Sequence, residues 1–432
     1  MAYRICSISG GGVRGIIPTT IIKEMLTISK SNGGAGKITD ICDYVVGTSV
    51  GGIVGGGLVV SKDGVNTKFT PNQILELLQS NAEAIFPQPS TLWNSLTKGV
   101  VTTVGGAIGA GIGFLLGGCI GGFSSNYIDS VGIAKKRDYN VPHEAMKDIA
   151  SEAGRVTGIV SGGLSGAVVG YLTAKAYLEG CFSPQYSRNG IDNLLKEYFE
   201  DLKLTDTVIP FTTVSYSLEE QNPRIWSTFK ANKVGSENFF LRDALGATSA
   251  APTFFPHKAT KTESGKLLYD IDGGIFANSP VNLAIAVLMK HAPDEVISKI
   301  EKEGIKVLSI GTGYHKNTEP SFIPPTSFEE GKLGYGLKDP LVFKVMEATE
   351  KDSIIQARHV HKALRLDPKL DGSLMPMDKS NPEHIKNLSK AANDFVIEHQ
   401  EIVKGYAKCM IEDINCKELI TESTPDYSYE EF

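Results

Sequence analysis

Apolar and polar positions fall along this chain in short blocks rather than in strict alternation. Residues 3–9 are mostly apolar, the pattern of a strand covered on both faces. They end in Gly10-Gly11-Gly12-Val13-Arg14-Gly15, and an apolar stretch of helical length follows at 16–29. The arrangement then recurs: a buried strand candidate at 43–46, the turn Gly47-Thr48-Ser49-Val50-Gly51, and an uncharged helix candidate at 52–60. Thr70-Pro71 predicts the cap and first turn of a helix over 72–80. Farther on, the pattern predicts a helix at 191–202, extended stretches at 208–216 and 224–229, and a strand at 267–271 that runs into Asp272-Gly273-Gly274. Pro280 opens a helix at 281–291, and a last strand at 305–310 ends in Gly311-Thr312-Gly313. Strands alternating with helices predict an α/β fold whose mostly parallel sheet is covered on both faces.

Two segments stand outside this pattern. Residues 99–128 form a run of 30 without a charge, and 156–174 another of 19, each long enough for a bilayer core of about 30 Å. Glycines recur every four residues at 105, 109, 113, 117 and 121, and again at 158, 162, 166 and 170. Glycine costs roughly 1 kcal/mol per helical position, so helices here need close backbone packing in return. An antiparallel hairpin with facing small-residue stripes supplies it, as in membrane helix pairs. Lys135-Lys136-Arg137 lie between the segments, and Asp129 and Asp138 dilute their charge.

Composition narrows the class. With 43 Lys and Arg against 49 Asp and Glu the net charge is −6, which speaks against a nucleic-acid partner. At 41% hydrophobic residues the chain has a core to bury. The six cysteines show no metal-binding spacing, and the first residues lack the basic and apolar regions of a secretory signal, so reduced thiols and a cytoplasmic setting are expected, with export by another route open.

Gly47-Thr48-Ser49-Val50-Gly51 fits the G-x-S-x-G elbow that exposes a nucleophilic serine at a sharp strand-to-helix turn. Gly10 to Gly15 satisfies two patterns. It matches the dinucleotide fingerprint G-x-G-x-x-G, but residues 30–36 carry no carboxylate to hold a ribose. The other reading is an oxyanion hole of exposed glycine N–H groups, which a serine elbow one βα unit downstream favours. The eight histidines sit in no recognisable catalytic setting. Asp272, at a strand end and followed by Gly273 and Gly274, is the better base, because desolvation would raise its pKa and let it take the Ser49 proton directly. Arg14 either stabilises the oxyanion loop or meets a lipid phosphate, or holds the turn as a salt-bridge residue; the last is favoured.

The order G-G-G-x-R-G, G-x-S-x-G, D-G-G resembles the patatin-like phospholipase family, as do residues 243–255 (D-A-L-G-A-T-S-A-A-P-T-F-F) and 307–313 (V-L-S-I-G-T-G). Ser9 stands where the family often has Asp. The resemblance covers 3–95 and roughly 183–315. It implies a three-layer α/β/α fold, a Ser49–Asp272 dyad, an oxyanion hole of Gly10, Gly11 and Gly12, and supporting roles for Arg14, Gly15, Gly47, Gly51, Gly273 and Gly274. It further implies hydrolysis of phospholipid acyl esters, of phospholipase A type, with no metal and no cofactor. The expected organisation is a core at 3–315 interrupted by the hairpin insertion at 96–182, a C-terminal helical extension at 316–420 packed on the core, and an acidic tail at 421–432. Phospholipid is then the expected partner and a membrane surface the expected docking place through 99–128 and 156–174, held peripherally or integrally. The competing reading makes the hairpin the active element, a membrane-inserting or pore-forming module on a lipase-like scaffold.

Overall fold

Strand β1 (Tyr3–Ile8) is buried at every position because its side chains point alternately into two different layers. Cys6 and Ile8 join one apolar cluster, Tyr3 and Ile5 the other. β2 (Tyr44–Gly47) divides the same way, Val45 to the first cluster and Tyr44 and Val46 to the second. That double burial is why these strands read as unbroken apolar runs. The computed structural model describes residues 1–87, 184–315 and 341–412.

Six further strands complete one eight-stranded sheet: β3 (Phe211–Ser217), β4 (Asn222–Ser227), β5 (Lys258–Lys261), β6 (Leu267–Asp272), β7 (Ile305–Ile310) and β8 (Leu364–Leu366). The order is β5-β6-β3-β2-β1-β7-β8, with β4 paired to β3. Strands β3, β2, β1, β7 and β8 run parallel, while β4 and β6 are antiparallel to β3. Helices α1 (Ile16–Ser31), α2 (Val50–Val59), α3 (Pro71–Ser80), α4 (Asn189–Phe199) and α5 (Leu241–Thr248) cover one face. Helices α6 (Val281–His291), α7 (Asp294–Glu303) and α8 (Leu341–His361) cover the other. Two late helices, α9 (Pro382–Glu398) and α10 (Gln400–Ile411), pack on α1 in the first layer. The result is the three-layer α/β/α architecture expected from the sequence.

Local chemistry accounts for most boundaries. Thr70 accepts the Gln73 N–H, and the Gln73 side chain accepts the Thr70 N–H at 2.9 Å, a capping box with Pro71 in the first turn of α3. The helix expected at 191–202 stops at Phe199. The extended stretch expected to reach Phe229 ends at Ser227, whose hydroxyl accepts the Phe229 N–H at 3.2 Å and starts the short helix Thr228–Lys233. β8 has no counterpart in the sequence reading: three residues from within the segment read as a helical extension form an edge strand against β7. Cys6 and Cys42 are free and buried. Among the described residues no helix is long and apolar enough to cross a membrane. The segments at 99–128 and 156–174, the basic triplet at 135–137 and the tail at 421–432 lie outside the described residues.

The register sets the stage for a site. Ile8 is level with Gly47 on one side and Ile310 on the other, so three parallel strands release their turns at one edge of the sheet, where open α/β sheets bind ligands.

Candidate active site

Ser49 leaves β2 with φ 54° and ψ −128° and begins α2. A non-glycine residue there costs about 1–3 kcal/mol, and three hydroxyls hold the turn against that strain. Thr248 Oγ1 accepts the Ser49 N–H at 2.9 Å, Thr213 Oγ1 donates to the Gly47 carbonyl at 2.7 Å, and Thr48 Oγ1 donates to the Ala277 carbonyl at 2.7 Å. The elbow is also tight. A methyl on Gly47 would strike the Gly51 backbone, and one on Gly51 the backbone of Ile8 and Ser9. The two glycines of the motif are therefore demanded by contact between strand, turn and helix. Gly15 meets the first turn of α2 in the same way, against Val50.

Asp272 reaches Ser49 by an unusual route. Thr212 and Thr213 pair with β2 on one side and β4 on the other, while Ser215 to Ser217 pair with β4 and β6. β2 and β6 therefore lie along the same edge of β3, running in opposite directions, and their C-terminal ends meet. Gly47 is level with Thr213 and Asp272 with Ser215, a gap of two residues, or about 7 Å of strand. Asp272 is 1% exposed. Its Oδ1 accepts the Gly274 N–H at 2.7 Å, and its Oδ2 has no donor of good hydrogen-bond geometry. Burial pushes its pKa up from 3.8 to about 7, against the opposing pull of the nearby Ser49 side chain and the Gly274 amide. Gly273 sits against Val214 of β3.

The glycine turn after β1 faces this pair. Gly10 donates its N–H to the Asn278 carbonyl at 3.0 Å, so it is not a spare donor. The N–H groups of Gly11 and Gly12 take no acceptor among the described residues, and both glycines border the cavity beside Ser49. Of the three glycines expected to form a cradle, Gly10 thus has its N–H engaged within the fold. Gly12 has φ 58°, and a side chain there would strike the Met377 carbonyl, which itself accepts the Val13 N–H at 2.8 Å. Arg14 is buried and donates to the carbonyls of Gly313 at 3.0 Å and Gly11 at 3.4 Å. It holds the turn, as favoured from sequence, but through carbonyls and not through a salt bridge.

The family model for patatin-like phospholipase matches residues 6–115 and 166–285. This chain belongs to the patatin-like phospholipase family. Among its relatives, Patatin-like protein 3 of Arabidopsis thaliana is 24% identical over 332 residues, 73% of this chain and 60% of the relative. Patatin-like protein 1 of the same plant is 23% identical over 409 residues, 89% of this chain and 79% of the relative. The chain thus spans about 60% of the length of the first of these relatives. The crystal structure of VipD from Legionella pneumophila overlaps loosely, at TM-score 0.28 and 12% identity, over 97% of this chain and 73% of that one.

Beside the serine of this patatin-like chain lies a cavity of about 60 Å³, lined by Ser49 and Asp272 and by apolar walls that include Ile53, Leu78, Ile85, Phe86, Leu194 and Phe254. Met346 and Met377 border it as well. No histidine lines it, and among the described residues no cluster of His, Cys, Asp and Glu could hold a metal ion. A polar chain supports the turn from below. Asn278 Nδ2 donates to Glu350 at 2.6 Å, Glu350 takes Arg365 at 3.2 Å, and Arg365 also meets Asp367 at 2.6 Å, Ser9 at 3.0 Å and Ser309 at 2.7 Å. Asp367 in turn accepts the Gly313 N–H at 2.8 Å. Ser9, which replaces the frequent Asp, is therefore a hydrogen-bond partner of a buried arginine. Sequence reasoning missed Asn278, Glu350, Arg365 and Asp367. A signal existed in the lone arginine of Leu364-Arg365-Leu366, since a charge inside a strand buried on both faces requires an ion partner.

Proposed function

We propose that the chain is a serine lipid acyl hydrolase that cleaves phospholipid acyl esters, of phospholipase A type, by a Ser49–Asp272 dyad. The observation that carries this reading is a fully buried carboxylate, raised by burial to a pKa of about 7, that lines one cavity with a serine held at a strained elbow. A base whose pKa lies near the working pH combines the right protonation state with a strong pull on the proton. Ser49 Oγ attacks the ester carbonyl while Asp272 takes its proton, and the oxyanion forms opposite the Gly11 and Gly12 N–H groups, each such donor being worth roughly 3 kcal/mol. Asp272 then returns the proton to the departing alcohol, leaving an acyl group on Ser49 for water to remove.

The apolar cavity is the expected seat of the acyl chain. At about 60 Å³ it is far below the several hundred cubic ångströms that a lipid-sized ligand fills, so binding requires its walls to part. Met346 and Met377 are the walls best suited to it, being unbranched and adaptable. Fatty-acid release from defined phosphatidylcholine vesicles tests the assignment. Ser49→Ala and Asp272→Asn should each abolish release with the fold retained by circular dichroism, and full activity in either variant overturns it. Docking on a membrane through 99–128 and 156–174 is the companion proposal. Liposome flotation of the chain with and without 96–182 tests it, and equal partitioning of both removes it.

A further inference from the structure

Acyl transfer to Ser49 is half of a hydrolytic cycle. The other half needs a water molecule aimed at the acyl carbon and an acceptor to aim it, because Asp272 can accept only one of its two protons. An unused acceptor lies at that place. Asn278 is 7% exposed and its Oδ1 has no hydrogen-bond partner, a costly state for a buried amide oxygen. Its orientation is fixed chemically. Nδ2 faces the Glu350 carboxylate at 2.6 Å, and an ionised carboxylate accepts hydrogen bonds and cannot donate them. The oxygen must therefore be the end turned away from Glu350, in a residue that lines the cavity together with Ser49 and Asp272.

The glycines locate that oxygen closely. A methyl built on Gly274 would lie 3.0 Å from Asp272 Oδ1 and 3.1 Å from Asn278 Oδ1. One built on Gly10 would collide with Asn278 Oδ1 while lying 3.1 Å from Ser49 Cβ. The amide oxygen thus shares Gly274 as a neighbour with Asp272 and Gly10 as a neighbour with Ser49. Glu350, anchored by Arg365 at 3.2 Å, keeps the amide from turning over.

We propose that Asn278 is a further catalytic residue, one that orients the deacylating water, and that Glu350 is its positioning residue. This rests on the acyl-hydrolase reading above. In the step, the water oxygen forms a bond to the acyl carbon while one proton passes to Asp272 and the other is held by Asn278 Oδ1. The tetrahedral intermediate then breaks its bond to Ser49 Oγ, which recovers the proton from Asp272, and the fatty acid leaves with the water oxygen. No other reactant is consumed.

Hydrolysis of a p-nitrophenyl ester by the full chain separates the two halves, since the initial burst of nitrophenolate reads acylation and the steady rate reads deacylation. Asn278→Ala should leave the burst rate within about twofold of wild type and lower the steady rate about tenfold, the loss of one hydrogen bond to the attacking water. Mass spectrometry of the intact protein should then show an acyl adduct that accumulates in the variant and is missing when Ser49→Ala is added. Glu350→Gln can donate from its own amide and so lets Asn278 turn over; it should lower the steady rate alone, by a smaller factor. A parallel fall of burst and steady rates in both variants, or an unchanged steady rate, overturns the proposal. Absence of any Ser49-dependent release of nitrophenolate by the wild-type protein overturns the hydrolase reading itself, a result distinct from either of these.

Discussion

Replacing Asp272 by Asn should make the folded protein more stable at alkaline pH while removing its hydrolytic activity. The fold holds this carboxyl 1% exposed and raises its pKa from 3.8 to about 7, so the folded state prefers the protonated form. Between about pH 4 and pH 7 the unfolded chain gives up this proton and the folded chain keeps it; stability therefore falls as pH rises through that window and levels off above it. A shift of about three units at 1.36 kcal/mol each amounts to about 4 kcal/mol lost by pH 8. An Asn side chain has nearly the same shape, can still accept the Gly274 N–H with its oxygen, and does not titrate. Urea unfolding of both proteins at pH 5 and pH 8 reads the difference. The stability gap in favour of Asp272→Asn should widen by about 2 to 3 kcal/mol between the two values, because less than half of the wild-type loss has accrued at pH 5. A gap that stays constant across that range would refute the reasoning, since it would mean that the carboxyl titrates as it does in the unfolded chain.

The same raised pKa governs activity: kcat/KM for ester hydrolysis should rise about tenfold per pH unit below pH 7 and level off above it as Asp272 ionises, and a profile flat from pH 5 to 9 counts against this base. Gly12→Ala places a side chain at φ 58° and against the Met377 carbonyl; backbone strain alone costs about 1–2 kcal/mol, so the thermal midpoint should fall together with the acylation rate. Arg365→Met leaves Glu350 and Asp367 without their cation, and removing one member of a buried ion pair costs about 3–5 kcal/mol, measurable as a lower urea midpoint. Thr70→Ala breaks the capping box of α3 at a cost of about 1 kcal/mol and should leave hydrolysis at the wild-type rate, which separates general stability from effects on the site.

Much of this protein was legible in its sequence because the information is local. Two neighbouring turns announce themselves through glycines at positions where strand, turn and helix leave no room for a side chain, as at Gly47 and Gly51. Strands buried on both faces, β1, β2 and β7, read as apolar runs for the same reason of contact. Thr70, Pro71 and Gln73 set a helix start without help from the rest of the chain. What the sequence could not show is how distant pieces meet. Asp272 was recognisable as a strand-end carboxylate, but its approach to Ser49 depends on β6 running against β2 along the same edge of β3, and strand order is set by the packing of the whole sheet. The engaged N–H of Gly10, the carbonyl partners of Arg14, and the line from Asn278 through Glu350 and Arg365 to Ser9 join residues as many as 356 positions apart. Each is a hydrogen bond that the fold requires of a buried polar group, and no periodicity of the chain encodes which partner it will find.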